Sequence, residues 1–104
     1  MKELEVTVEC LESIVILHVV GPVDSNTAAH LQEPLLHAAE SPTGAVQVDL
    51  AQVSYMSSAG LRVLLLAAKA LQKRAERLRL LNVPPHIHNV LNLAGFTSFI
   101  DVAL

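Results

Sequence analysis

Residues 45–65, AVQVDLAQVSYMSSAGLRVLL, decide the fold. Val46, Val48 and Leu50 alternate with Gln47 and Asp49, the period-two pattern of a short strand over Ala45–Leu50. Gln52–Met56 reads as a connector. Ser57-Ser58 then opens the longest helix of the chain, predicted from Ser58 to about Glu76, with Leu61, Leu64, Leu65, Ala68, Leu71 and Ala75 as its buried stripe. Arg62, Lys69, Lys73 and Glu76 fall on the opposite, solvated side. A strand that feeds a helix through a short turn is the building unit of an α/β layer.

Toward the N-terminus, Leu4, Val6, Val8 and Cys10 point one way and Glu5, Thr7 and Glu9 the other, which predicts a half-buried strand over Leu4–Cys10. Leu11-Glu12-Ser13 is a polar break. Ile14–Val20 is almost continuously apolar, as in a strand covered on both faces, and its closeness to the first strand predicts an antiparallel hairpin. Gly21-Pro22 ends that strand, and Asp24-Ser25-Asn26-Thr27 offers helix caps. Ala28, Leu31, Leu35 and Ala38/Ala39 follow at helical spacing, with Pro34 inside the pattern expected to kink or split the helix. Ser41-Pro42-Thr43-Gly44 closes it.

Toward the C-terminus, Leu78–Leu81 is a further strand and Pro84-Pro85 starts a third helix, where proline is tolerated. Ile87, Val90, Leu91 and Ala94 form its inner face, Gly95 stops it, and Phe99–Val102 forms a last strand. The order is ββαβαβαβ, an α/β fold whose later strands are parallel. Sites in such sheets form beyond the carboxyl ends of strands, so Asp24, Ser57-Ser58 and Asn82-Val83-Pro84 are expected on one rim.

Composition limits the function classes. The chain has 104 residues, 52% apolar and 16% charged, against about 25% charged in a typical domain. The mean hydropathy is +0.46, yet the longest apolar run, Val63–Ala68, falls far short of a membrane span. The charged start at Lys2, Glu3 and Glu5 does not read as a secretory signal. One cysteine precludes an internal disulfide and multi-cysteine zinc sites. A single cytoplasmic domain over residues 1–104, without direct membrane insertion, is expected. The net charge is −3, and Tyr55, Phe96 and Phe99 are the only aromatics, so no nucleic-acid surface is expected. Six of the seven basic residues lie between Arg62 and Arg79 and read as a solvated face.

Catalysis has no constellation. Met56-Ser57-Ser58-Ala59-Gly60 does not match the G-x-S-x-G elbow of serine hydrolases. The five histidines, His18, His30, His37, His86 and His88, show no ligand set, and the four glycines form no phosphate loop, so neither metal nor cofactor is expected. Cys10 reads as a small core residue.

Asp49 to Leu65 resembles the signature of the STAS domain of bacterial anti-sigma factor antagonists: an aspartate-ending strand, a connector, then Asp-Ser-Ser-Gly-Leu-Gly entering a helix. Gly21-Pro22-Val23-Asp24 resembles the family's glycine-x-x-aspartate turn, Leu80-Leu81-Asn82-Val83 its fourth strand, and Gly95-Phe96 its approach to the last strand. Ser57 stands in place of the signature aspartate, Ala59 of the second serine and Arg62 of a glycine, while Ser58 and Gly60 keep their places. The resemblance implies a STAS-like, mostly parallel mixed sheet with helices packed on it. It also implies a regulatory binding protein rather than an enzyme. Ser58 would be phosphorylated by an anti-sigma factor with serine kinase activity and reset by a serine phosphatase. Asp24, Ser57, Ser58, Ala59, Gly60, Leu61 and Arg62 would meet the partner, with Gly60 leaving the helix start bare for a partner backbone. Read by themselves, Ser57-Ser58 equally suit helix capping, and Asp24 equally suits a cap of the first helix. The alternative is a STAS-type subunit of an ABC-type lipid transport complex, docked on its ATPase.

Overall fold

The two longest strands lie side by side. β2 (Ile14–Val23) and β3 (Ala45–Met56) run parallel in a computed structural model that describes residues 3–42 and 44–104. β1 (Glu5–Cys10) folds back antiparallel on β2. β4 (Arg79–Leu81) and β5 (Asp101–Val102) continue the sheet in parallel, giving the order β1-β2-β3-β4-β5. α1 (Ala28–Glu40) follows β2, α2 (Ser58–Gln72) follows β3, and α3 (Pro85–Leu93) follows β4. The ββαβαβαβ order, the hairpin and the parallel later strands are those expected.

The core draws one alternate series from each long strand. Leu17, Val19 and Val23 of β2 and Val46, Val48 and Leu50 of β3 are at most 2% exposed, as are Leu31 and Leu35 of α1 and Leu64 and Leu71 of α2. Each such side chain contributes about 1.5–3 kcal/mol by leaving water. β2 is therefore covered on one face, not two. Its other series is half-buried at Ile16 and His18 and exposed at Val20, sheltered by neighbours on the same face rather than by helices.

Further differences arise where pairing overrides local pattern. β2 does not end at Gly21-Pro22. The register slips there, Gly21 takes φ +113°, and the strand continues to Val23. A Cβ on Gly21 would stand 3.1 Å from the Glu3 carbonyl oxygen, so glycine serves close approach as well as conformation. Gln52–Met56 is not a connector but the second half of β3, paired from Val20↔Gln52 to Val23↔Met56. Two slips, between His18 and Val20 and between Gly21 and Pro22, place extra residues on β3 and break its alternation, so the buried positions pass from Leu50 to Val53 and Met56.

α1 runs unbroken through Pro34. The carbonyl that loses its donor belongs to exposed His30 and can be solvated. α2 stops at Gln72 rather than Glu76, because the Glu76 and Ala75 N–H groups donate to the Leu71 and Gln72 carbonyls in a Schellman closure with Ala75 at φ +57°. Ala75 is consequently exposed, Leu61 and Leu65 lie at the border, and Gly60, Val63 and Ala67 join Leu64, Ala68 and Leu71 inside. In α3 only Ile87 and Leu91 are buried. Val90 and Ala94 face outward, since so short a helix presents a single i, i+4 stripe. Gly95 ends it at φ +80°, and Phe96–Ser98 makes a 3-10 turn, which confines the last strand to Asp101–Val102. Cys10 is exposed, not a core residue, because the helix layer reaches Leu4 and Val6 but not Val8 and Cys10. Lys2, and Thr43 in the Ser41-Pro42-Thr43-Gly44 ending of α1, lie outside the described residues. Among the described residues no helix is long and apolar enough to cross a membrane.

Candidate functional site

β2 and β3 end together, so the starts of α1 and α2 are neighbours. The Ser57 N–H donates to the Val23 carbonyl at 2.8 Å, extending the parallel ladder past the last paired residues. Asp24 and Ser57 thereby follow adjacent strand ends, Ser57 as the N-cap of α2 and Asp24 at the head of the turn into α1.

Asp24 caps that turn. Its Oδ1 accepts from the backbone N–H groups of Asn26 (2.8 Å) and Thr27 (3.0 Å), and its carbonyl accepts from Ala28 N–H at 2.9 Å. The Thr27 hydroxyl accepts from Asp24 N–H and donates to the Pro22 carbonyl, both at 2.9 Å, which locks the turn between β2 and α1.

The two serines divide their tasks. Ser57 is the N-cap of α2: in extended conformation (φ −87°, ψ 174°), its Oγ accepts from Gly60 N–H at 3.3 Å. Ser58 is the first helical residue, exposed, and its hydroxyl has no hydrogen-bond partner among the described residues. It opens onto a shallow groove of about 340 Å³ between the two helices, lined by Ala28 and Gln32 of α1 and by Ser58, Ala59, Arg62 and Val63 of α2. Arg62 is exposed one turn beyond Ser58, while Ala59 and Leu61 are half-buried.

Gly60 does not leave the helix start open to a partner backbone. It is buried, and a Cβ there would overlap Met56 Sδ and stand 2.7 Å from Val23 Cγ1. Its bareness serves the close packing of α2 onto the ends of β2 and β3. The third strand end stands off to one side: His86 Nε2 lies 3.3 Å from the Ser54 carbonyl, but Asn82, Val83 and Pro84 take no part in the groove. Ala28 and Gln32 were not among the expected residues. Their i, i+4 spacing on α1 was legible, but its apposition to α2 was not.

The basic cluster is solvated at Arg62, Lys69 and Lys73 and at Arg77, which pairs with Asp101 at 2.9 Å. Arg74 departs from that expectation. Its Nε donates to the Ala39 carbonyl at 3.2 Å and its Nη1 to the Gly44 carbonyl at 3.1 Å, tying the end of α2 to the end of α1.

Among the described residues no group of three or more His, Cys, Asp or Glu side chains is placed to hold a metal. A cross-strand ionic cluster lies on the open face of the sheet. His18 Nε2 is 2.9 Å from Glu9 Oε1, and its Nδ1 is 3.4 Å from Asp49 Oδ2. The hydrogen bond that the ring donates to Glu9, with the added charge of Asp49, raises the imidazole pKa above its ordinary 6.5.

Three comparisons bear on this arrangement. The family model described as STAS domain matches residues 5–104. A Bordetella bronchiseptica protein provisionally named anti-sigma factor antagonist BtrV is 34% identical over 100 residues, covering 96% of this chain and 86% of the relative. Among solved structures, an anti-sigma factor antagonist from Mycobacterium paratuberculosis superposes with a TM-score of 0.87 at 21% identity, over 97% of this chain and 86% of that one. SpoIIAA, a Bacillus cell fate determinant solved in its phosphorylated form, superposes with a TM-score of 0.75 at 20% identity, over 96% of this chain and 92% of that one.

Proposed function

The chain belongs to the STAS domain family, and on that premise we propose that it acts as an anti-sigma factor antagonist switched at Ser58. In this reading the chain is one domain over residues 1–104, working in the cytoplasm. With Ser58 unmodified, the surface formed by Asp24, Ser57, Ser58, Ala59, Leu61 and Arg62 docks an anti-sigma factor with serine kinase activity, which then gives up its sigma factor. Gly60 lies beneath this surface and seats α2. Phosphorylation of Ser58 by the docked kinase ends the association, and a serine phosphatase restores it. The protein is the substrate of the kinase and itself catalyses nothing.

The observation that carries the reading is the division between the two serines. Because Ser57 holds the cap, the Ser58 hydroxyl is exposed and free of hydrogen bonds to the described residues. A kinase can take it without dismantling the helix start. SpoIIAA, whose fold this chain shares, exists in a phosphorylated form. A phosphate at the first residue of α2 is also compatible with the helix macrodipole, which favours an anion there by about 0.3–1 kcal/mol. Modification should therefore leave the fold intact and act on binding.

The magnitudes suffice. Phosphorylation adds about −1.5 to −2 charges. Two unit charges at contact interact by about 4 kcal/mol at an effective dielectric of 20, and a hundredfold loss of affinity requires only about 2.7 kcal/mol.

The test is a pull-down from native lysate with the wild type and Ser58→Asp side by side, read by mass spectrometry, with circular dichroism confirming that both are folded. Capture of a small soluble ATP-binding kinase by the wild type and not by the variant is the expected result. Equal capture of that kinase by both proteins would refute the switch. Capture of one membrane-associated ATPase by both would replace it with docking in a transport complex.

A further inference from the structure

β1 is one of the two outer strands of the sheet, and the helix layer stops short of its second half. Leu4 is buried, but Val8 on the same face is 46% exposed, and Leu11 beyond it 51%. Between this stretch and the far half of α1 lies a groove of about 450 Å³, lined by the apolar Val8, Cys10, Val15, Pro34 and Ala38 and by the polar Glu33, His37 and Ser41.

Among the described residues no strand pairs with the outer edge of β1. The Leu11 N–H donates to the Ile14 carbonyl at 2.8 Å, which makes these two a hydrogen-bonded pair of the hairpin. Along the register from Glu5↔Val20 to Cys10↔Val15, antiparallel alternation then turns Glu5, Thr7 and Glu9 inward to β2 and points the N–H and C=O groups of Val6, Val8 and Cys10 off the edge. A strand added there would bond to these three residues. On one face its side chains would enter the apolar groove beside Val8 and Cys10. On the other they would lie beside Glu5, Thr7 and Glu9.

Charge selects the occupant. Every acidic residue except Glu76 and Asp101 precedes Leu61, and every basic residue except Lys2 follows it. Glu5 and Glu9 within β1, Glu3 and Glu12 at its ends and Glu33 at the groove give this edge its acidic character. A second copy is a poor fit. About a two-fold axis normal to the sheet at Thr7, Glu5 would meet Glu9. With the axis at Val6, Glu3 would meet Glu9, and with the axis at Val8 the two Glu9 residues would be diagonal neighbours. Like charges in such pairs are destabilising.

We infer that the free edge of β1 is a second docking surface, distinct from the groove at Ser58, that takes an extended partner segment of alternating basic and small apolar residues as a sixth strand. Main-chain bonds to Val6, Val8 and Cys10 supply the pairing, the groove takes the apolar residues, and the glutamates take the basic ones. The surface does not depend on phosphorylation or on the anti-sigma reading.

The probe is an acetylated and amidated (Lys-Val)4 peptide, titrated into the isotope-labelled full chain and followed by NMR, with (Glu-Val)4 as its counterpart. The expected result is saturable amide shifts centred on residues 5–11, and amide exchange at Val6, Val8 and Cys10 slowed by about tenfold or more. Affinity should fall several-fold on raising salt through the physiological range, roughly where the Debye length reaches 8 Å. Val8→Lys, at an exposed position, should keep the native spectrum and lose the binding. Equal binding of the acidic peptide, absence of protection at Val6, Val8 and Cys10, shifts centred on Ser58 instead, or self-association of the chain through β1 would each overturn the inference.

Discussion

Exchanging each serine for alanine separates a cap from a free hydroxyl. Ser57 Oγ accepts from Gly60 N–H at 3.3 Å, slightly longer than the usual range of about 2.7–3.2 Å. Loss of a serine N-cap costs about 0.5–2 kcal/mol, and the long bond places Ser57→Ala in the lower half, at about 0.5–1 kcal/mol. For a domain of this size that corresponds to roughly 2–8 °C in Tm. Ser58→Ala removes an exposed hydroxyl with no partner among the described residues and introduces the best helix former, so its effect should lie within about 0.5 kcal/mol of zero. Ser57→Asp restores the residue type of the family signature and should gain about 0.3–1 kcal/mol from the macrodipole at neutral pH. That gain should vanish as acid protonates the carboxylate. The assay is urea unfolding followed by far-UV circular dichroism, with an unchanged m-value as the condition for comparison. A larger cost for Ser58→Ala than for Ser57→Ala would refute the reasoning. The cap would then be Ser58, its hydroxyl would not be free, and the principal support for its role as phosphoacceptor would fall.

Four other outcomes are expected. Gly60→Ala sets a Cβ against Met56 Sδ and Val23 Cγ1. The overpacking cost of about 1–3 kcal/mol exceeds the roughly 1 kcal/mol gain in helix propensity, so urea unfolding should show a net loss of about 1 kcal/mol. A stability at or above wild type would mean that Met56 swings clear. Arg74→Met keeps the aliphatic stem but strips the Ala39 and Gly44 carbonyls of their donors. The loss should be about 1.5–3 kcal/mol, near the lower figure because the buried Arg74 Nη2 has no partner among the described residues. An unchanged urea midpoint would show the tether to be dispensable. Ala75→Gly relieves an alanine at φ +57° and should stabilise by about 1 kcal/mol, read as a higher Tm; no rise would mean the closure is not strained. His18 has a pKa raised by Glu9 and Asp49, so its pairing is fully present above the carboxylate range and below the unfolded imidazole value of about 6.5. It is lost as pH rises through the raised folded value. With His18 and Glu9 side chains 39% and 49% exposed, solvent screening keeps the effect small. Unfolding from pH 5.5 to 8 should show a shallow decline that His18→Gln and added salt both flatten, and an identical slope in His18→Gln would exclude the cluster as its source.

Much of the architecture was legible locally. Alternation in Glu5–Cys10, the Ser57-Ser58 helix start, the turn at Asp24 and the stop at Gly95 are written within a few residues of where they act, and they suffice for the ββαβαβαβ order. The motif through Ser58 and Gly60 also placed the candidate site at the start of α2. What escaped was non-local in origin. The second half of β3 looked irregular because two register slips against β2 shift its buried series, and the sequence of β3 alone does not contain its partner's register. Arg74 looked like one more solvated cation because its acceptors, the Ala39 and Gly44 carbonyls, are about thirty residues away in the chain.

The sequence by itself determined the kinds and order of the elements, the family, and the identity of the serine at the head of α2, because periodicity, caps and motifs depend on neighbours along the chain. Only the tertiary structure decided that Ser57 and not Ser58 holds the cap, that Gly60 faces Val23 and Met56 rather than a partner, and that Cys10 lies uncovered at an open edge. Each of those depends on which distant side chain or helix arrives beside the residue, and burial and hydrogen bonding are settled by that arrival.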